Sequence, residues 1–212
     1  MLTLTLRELR AGDRESAVQL ASETGVFRPA ELDVLAEVLD EYLRSPEQGG
    51  YYALVAELAE WHLASAEAPT QEAGEELALP PVIRPQSSPR LASFSPTAAG
   101  TGAISPPSSN VALAGFVIFG PTPLTLHTWD VYWIVVGKSY QRQGVGRRLL
   151  EAAEARIAAQ RGEVIRVETS SLSSYAPTRR FYEKHGYRLA GTIPHFYARG
   201  DDLCIYYKCL YG

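Results

Sequence analysis

Between Gly137 and Gly146 the chain reads Gly-Lys-Ser-Tyr-Gln-Arg-Gln-Gly-Val-Gly, and two phosphate-binding patterns compete there. Gly137-Lys138-Ser139 imitates the end of a nucleotide-binding loop, G-x-x-x-x-G-K-[ST]. The first glycine of that motif would fall at Tyr132, inside an apolar run, so no amide array can wrap a phosphate there and a nucleotide kinase is excluded. The second pattern, Gln141-Arg-Gln-Gly144-Val-Gly146, joins a strand-like run to a helical one. Its two glycines let backbone approach a ligand, and a helix start offers unpaired N–H groups at a positive dipole end. That chemistry suits a pyrophosphate, with Arg142, Arg147 and Arg148 adding positive charge. A turn at this point also calls for glycine, so the pair alone does not decide.

Carboxylates able to move a proton are few. Asp130 shares a two-residue period with Tyr132, Ile134 and Val136, and is either a base or a solvated strand-start carboxylate. Glu168 falls on the same strand face as Val164 and Arg166, where a salt bridge to Arg166 is the plainer reading. His127 and His195 have no partner motif and read as polar surface residues. Trp129, Trp133, Tyr197 and Tyr206 fit a pocket lining and a packed core equally well.

The elements that must position these groups follow from patterning. Leu2 to Leu9 alternates as a strand, and Asp13 is a plausible cap for a helix carrying Ala17, Val18, Leu20 and Ala21 that ends at Thr24-Gly25. A second helix fits Ala30 to Leu43, and a strand fits Tyr51 to Leu58. Residues 62–110 then hold eight of the chain's 14 prolines, eight serines and one aromatic, Phe94. Such a segment buries too little apolar surface to offset its conformational entropy, so it is expected to be a disordered insertion in a single domain spanning 1–212. Strands are expected at Val111–Phe119 and Leu124–Val136, a helix from Val145 to about Gln160, and a strand at Glu163–Thr169. A short helix capped by Ser173 or Ser174, with Pro177 in its first turn, ends near His185-Gly186. Strands at Tyr187–Thr192 and Leu203–Leu210 close the fold around Gly200-Asp201. Tight β-turn-β links among alternating helices and strands make the expected sheet mixed.

Composition sets outer limits. The 212 residues, 46% hydrophobic and 21% charged, describe a globular chain. A net charge of −4 argues against a nucleic-acid or acidic-membrane coat. Cys204 and Cys209 are five residues apart, an odd strand offset that points them to opposite faces, so no mutual disulfide and no zinc cluster is expected. Arg7, Glu8 and Arg10 interrupt any signal-peptide core. The uncharged stretch Leu91 to Trp129 is broken by Pro, Ser and Gly, and its Val111–Phe119 run is too short to span a bilayer. The expectation is a soluble, cytoplasmic protein with no metal, no nucleic-acid partner and no membrane, and with a homodimer left open.

Three runs now combine: Asp130-Val-Tyr-Trp-Ile-Val-Val136, Gln141-x-x-Gly144-x-Gly146-x-x-Leu149, and Tyr175-Ala-Pro-Thr-Arg-Arg-Phe181-Tyr182-Glu-Lys-His-Gly186-Tyr187. Together they resemble the GNAT superfamily of acyl-CoA-dependent N-acetyltransferases, most specifically over 130–190. The resemblance implies an α/β (α+β) GNAT acyl-CoA N-acyltransferase fold, a mixed, mostly antiparallel sheet flanked by helices. It implies acetyl-CoA as co-substrate and a primary amine of a small molecule or peptide as acceptor. By the same resemblance Gln141, Arg142, Gln143, Gly144, Val145 and Gly146 hold the coenzyme pyrophosphate, and Ile134, Val135 and Val136 meet the pantetheine arm. Arg147 and Arg179 fall with the coenzyme as well. One position departs: many members carry an asparagine seven residues before the helix tyrosine, where this chain has Tyr175. Thr169 and Ser170 can supply hydrogen bonds to pantetheine in its place, or simply bond the strand end.

The implied reaction needs a neutral amine, a stabilised oxyanion and a proton for the departing thiolate. An amine pKa near ~10 and a thiol near ~8.5 call for a base and an acid. Val136 N–H matches the family's oxyanion donor, Tyr182 the acid of its Y-x-x-x-G-[FY] element, and Asp130 is the leading base. In this reading Phe181 anchors the helix in the core while Tyr182 faces the sulfur. A non-catalytic acyl-CoA-binding module of the same fold is the alternative.

Overall fold

The computed structural model describes residues 2–45, 50–60 and 111–211. The expected insertion at 62–110 lies outside the described residues.

The chain runs β1 (Leu2–Glu8), α1 (Arg14–Thr24), α2 (Pro29–Arg44), β2 (Tyr52–Glu60), β3 (Val111–Pro121), β4 (Thr128–Val136), α3 (Val145–Ala159), β5 (Val164–Ser170), α4 (Ala176–Lys184), β6 (Arg188–Ala198) and β7 (Asp201–Cys209). Among the described residues the strands form one sheet in the order β1-β2-β3-β4-β5-β7-β6. Every neighbouring pair is antiparallel except β4 and β5. The mixed, mostly antiparallel sheet is as expected. None of the described helices is long and apolar enough to cross a membrane.

Each face of the sheet carries its own core. On one, Val145, Leu149, Ala153 and Ile157 of α3 and Tyr182 of α4 pack on Val117, Phe119, Val131 and Ile165. On the other, Ala17 and Leu20 of α1 and Leu35 and Leu39 of α2 pack on Val55, Phe116, Ile118 and Val135. The apolar stripes repeat at helical spacing because each helix must cover its side of the sheet. Cys204 is buried and Cys209 exposed, both as free thiols.

Several boundaries differ from the sequence expectation, each for a local reason. Asp13 precedes α1 but does not cap it: it already has helical backbone angles, and its carboxylate accepts from Arg10 N–H at 2.7 Å and from Arg7 at 2.6 and 2.8 Å. Strand β4 begins at Thr128 rather than Leu124, because Thr122 N–H bonds Thr128 O at 2.8 Å and Leu124 turns with φ 64°. Strand β6 runs on to Ala198, past the expected end at Thr192, with irregularities in its register against β7.

Two features of β4 shape the site. Ile118 pairs with Trp133 and Phe119 with Val131, leaving Tyr132 as an extra residue in a β-bulge. The bulge reverses the alternation, so Trp129, Val131, Ile134 and Val136 all join the α3 side while Trp133 and Val135 join the α1–α2 side. The expected common face of Asp130 with Ile134 and Val136 is therefore corrected: the bulge puts Asp130 on the opposite face. Second, β4 pairs with β5 only from Thr128–Asp130 to Val164–Arg166, after which the strands part. Strand β5 stays paired with β7 as far as Ser170, so a wedge opens between the ends of β4 and β5.

Candidate active site

At the end of β4 the chain anchors itself through Gly137 N–H to Ala114 O at 3.0 Å. Gln141 then donates Nε2 to Val136 O at 3.1 Å, and Gln143 donates Nε2 to Ser139 O at 2.7 Å. These bonds shape a loop in which Arg142 (φ 61°) and Gly144 (φ 83°) both adopt the left-handed conformation. The first bond of α3 forms only at Arg148 N–H to Gly144 O, 3.0 Å. Among the described residues the amides from Arg142 to Arg147 have no backbone acceptor, and the first turn of α3 carries no acid. Left-handed residues set before a helix turn successive N–H groups toward one side, which makes an anion cradle. Behind it, a Cβ on Gly146 would stand 3.4 Å from Val136 Cγ2 and 3.5 Å from the Phe181 ring, so the loop sits directly on β4 and α4.

A small cleft of about 160 Å³ leads from this loop into the wedge, lined by Val136, Gln141, Thr178 and Tyr182 at one end and by Tyr132 and Glu168 at the other. Tyr182 is only 4% exposed and packs on Tyr187 and Tyr206 at ring distances of 5.4 and 6.5 Å. Burial pushes its phenol above the usual tyrosine range. The expected division between Phe181 and Tyr182 is reversed in depth. Tyr182 is the buried ring that also lines the cleft, while Phe181 is half-buried against the core and the glycine loop.

Beyond it lies a wider cleft of about 820 Å³, bounded by the α1–α2 connection, β4, β5 and the β6–β7 turn. Asp130 stands in its wall. Arg166 Nε donates to Asp130 Oδ1 at 2.7 Å and Arg166 Nη2 to Oδ2 at 3.2 Å, while Thr122 Oγ1 donates to Oδ2 at 2.8 Å. Glu168 meets the same guanidinium at 3.1 Å. The Asp130 side chain is 7% exposed and that of Glu168 is 39% exposed. Burial lifts the phenols of Tyr132 and Tyr197, helped respectively by Asp130 and Glu168, to about 12, so both present neutral hydroxyls.

Asparagine at 130 removes the charge and one of the two acceptor oxygens, so Arg166 and Thr122 can no longer both be satisfied there. Asp130→Asn is expected to destabilise the fold by about 1–3 kcal/mol, a cost typical of breaking a charged, mostly buried hydrogen-bond set. A lowered Tm in thermal unfolding checks this, and an unchanged Tm would show that the pair contributes nothing.

Further expected site residues stand on β5, α3 and α4. Ser170 donates its hydroxyl to Asp201 and accepts Leu172 N–H at 3.0 Å, so that hydroxyl is engaged at the strand end. Arg179, expected with the coenzyme, donates to the carbonyls of Ser170 at 2.6 Å and Leu172 at 3.0 Å, tying down the β5–α4 connection. Arg147 pairs with Glu151 at 3.2 Å along α3. Thr169 is buried and lines both clefts, as do Tyr132, Trp133 and Glu168. His127 and His195 line neither. Sequence reading missed Phe27, which lines both clefts and whose one sequence signal is its place between Gly25, the end of α1, and Pro29, the start of α2.

An amide-rich loop at a helix start thus opens beside a splayed parallel strand pair and a polar cleft, the arrangement that the GNAT resemblance implies. Comparison with known proteins agrees. A family model, the acetyltransferase (GNAT) domain, matches residues 108–189. A GNAT-family protein of Desulfovibrio desulfuricans is 27% identical with a TM-score of 0.70, over 98% of this chain and 99% of that one. The ribosomal-protein-S18-alanine N-acetyltransferase of Escherichia coli shares the fold at 16% identity and a TM-score of 0.59, over 98% and 94% of the two chains. An aminoglycoside 6'-N-acetyltransferase in complex with coenzyme A shares it at 13% identity and a TM-score of 0.57, over 98% of each. No curated protein matches the sequence. Over residues 108–189 the sequence is thus that of a GNAT acetyltransferase domain, and the fold of the chain is that of GNAT acetyltransferases.

Proposed function

We propose that this chain moves an acetyl group from acetyl-CoA to a primary amine of a small molecule or peptide by direct attack. The observation that carries the reading is a pair of clefts sharing Tyr132, Glu168 and Thr169 in their walls, the smaller reaching Gln141, next to the unpaired amides of 142–147, and the buried Tyr182, the wider bearing Asp130 and Glu168. The amides, with Arg142 and Arg148 beside them, take the pyrophosphate. The edge of β4 at Ile134–Val136, unpaired toward β5, takes the amide-rich pantetheine arm, with the Thr169 hydroxyl across the wedge. Val136 N–H faces the developing oxyanion, and Tyr182 protonates the leaving thiolate. The bound coenzyme supplies an activated thioester; the protein supplies position, polarity and protons.

For the base, the geometry favours Glu168 over Asp130. Asp130 has both oxygens engaged by Arg166 and Thr122, so it serves to orient Arg166. Glu168 makes one contact to that guanidinium, is far more exposed, and lines both clefts, where an incoming amine meets the thioester. The acceptor class rests on a fold whose neighbours include enzymes named for a ribosomal-protein alanine and for an aminoglycoside. The test is thiol release from acetyl-CoA against a panel of peptide and small-molecule amines. With the best amine, Glu168→Gln should lower kcat/KM by roughly 10²-fold and flatten the acidic limb of its pH profile. Retention of that limb in Glu168→Gln and its loss in Asp130→Asn would return the role to Asp130. Absence of thiol release with every amine would count against the donor assignment.

A further inference from the structure

Where the superfamily resemblance breaks, this chain places Tyr175, and the structure gives that ring a distinct position. Tyr175 stands immediately before α4, is half-buried, and lines both the small and the wide cleft. Its hydroxyl donates to Val26 O at 3.3 Å in the α1–α2 connection. The next residue, Phe27, packs its ring on Trp133 of β4 at 5.1 Å. Three elements are thereby clasped around the passage between the clefts: the start of α4 through Tyr175, the α1–α2 connection through Val26 and Phe27, and β4 through Trp133. All four residues line both spaces. Trp133 is further held in the core beneath α1 and α2, so this side of the clasp cannot swing away cheaply.

We infer that the Tyr175 ring, tethered to Val26 beside the Phe27–Trp133 pair, sets the length of the acyl group the enzyme accepts, admitting acetyl and rejecting longer linear acyl chains. The inference rests on the proposed acetyl-CoA reading of the same site. The coenzyme sulfur, brought beside Tyr182, lies in a space of about 160 Å³ walled by β4, β5 and α4. An acetyl group ends within that space. Each further methylene has to run forward into the clasp, where a phenol ring tethered at its hydroxyl narrows the way toward the 820 Å³ cleft from which the amine arrives. Close-packed aromatic walls discriminate by size because neither the ring nor the chain can yield without strain. The clasp also gives this chain a device that the usual asparagine, shorter and without a ring, does not provide.

The experiment needs no acceptor amine. Full-length protein is titrated calorimetrically with coenzyme A, acetyl-CoA and hexanoyl-CoA, in the wild type and in Tyr175→Ala, Tyr175→Asn and Tyr175→Phe. The wild type is expected to bind hexanoyl-CoA at least about tenfold more weakly than acetyl-CoA, a modest share of what a tight pocket exacts per added methylene. Tyr175→Ala and Tyr175→Asn should close most of that gap, while Tyr175→Phe, which keeps the ring, should retain it. The asparagine variant guards against a folding defect, because a short polar side chain suits the residue ahead of a helix. Coenzyme A serves as the reference that separates loss of the loop site from loss of selection. Equal wild-type affinity for the two thioesters, or a gap that persists in both the alanine and asparagine variants, overturns the inference alone. A wild type that binds none of the three coenzymes overturns the underlying reading and the inference with it.

Discussion

Tyr182→Phe should lower kcat by roughly 10² to 10⁴ while leaving coenzyme affinity and Tm nearly unchanged. The phenol is buried against Tyr187 and Tyr206, so phenylalanine keeps the ring contacts and removes one oxygen. Burial raises the Tyr182 pKa above its ordinary value, which keeps the proton on the oxygen throughout the neutral range. A raised pKa also makes the phenol a weaker acid, and that works against transfer to a free thiolate with pKa near ~8.5. The same burial acts on the thiolate, since a desolvated sulfur anion is destabilised and its affinity for a proton climbs with that of the phenol. Donor and acceptor therefore stay matched as both leave water. The alkaline limb of the wild-type profile should accordingly not reflect Tyr182 until well above the usual phenol range. Single-turnover measurements, in which chemistry limits the rate, check the prediction; a wild-type rate in the phenylalanine variant would remove Tyr182 from the mechanism and leave it a packing residue.

What the sequence made legible was whatever depends on neighbours along the chain. The glycine pair at 144 and 146 marks the loop because two residues with special backbone demands stand at a strand-to-helix junction. The stripe Val145, Leu149, Ala153 and Ile157 marks α3 because the helix has one partner face. What stayed hidden depends on a single residue or on distant ones. The bulge at Tyr132 has no compositional sign, yet it turns Asp130 away from the face of Ile134 and Val136. Phe181 and Tyr182 are adjacent aromatics on a nine-residue helix, and their order of burial is decided by β7 and the glycine loop rather than by helical spacing. Arg179 is placed with the coenzyme by resemblance, and only the folded chain shows that it also donates to two carbonyls of the connection before it. The clasp joins Val26, Phe27, Trp133 and Tyr175, far apart in the chain, and only the folded sheet brings them together.

Gly144→Val should weaken acetyl-CoA binding by at least about tenfold, or roughly 1.4 kcal/mol, with the global fold retained. The reason is conformational before it is steric. A Cβ at this position meets no protein atom within 4 Å, so the folded chain has room for a side chain. The backbone, however, sits at φ 83° and ψ 0°, where a β-branched residue is a genuine outlier. Valine would cost roughly 1–2 kcal/mol there, and the loop relieves that cost by rotating out of the left-handed region. Once it rotates, the N–H groups from Arg142 to Arg147 no longer converge, and the anion site dissolves without disturbing Val145 or Leu149 in the core behind it. The open space over Gly144 is also where a pyrophosphate would approach, so even an unrotated valine would stand in its path. Gly144→Asn separates the two effects, because asparagine tolerates the left-handed region while still presenting a side chain. If conformation dominates, the affinity of the Gly144→Asn variant, measured by calorimetry, falls much less than that of the valine variant. If both fall equally, close approach of the ligand to the backbone is the controlling term. Undiminished affinity in Gly144→Val, with the fold intact, would move the coenzyme site away from this loop altogether.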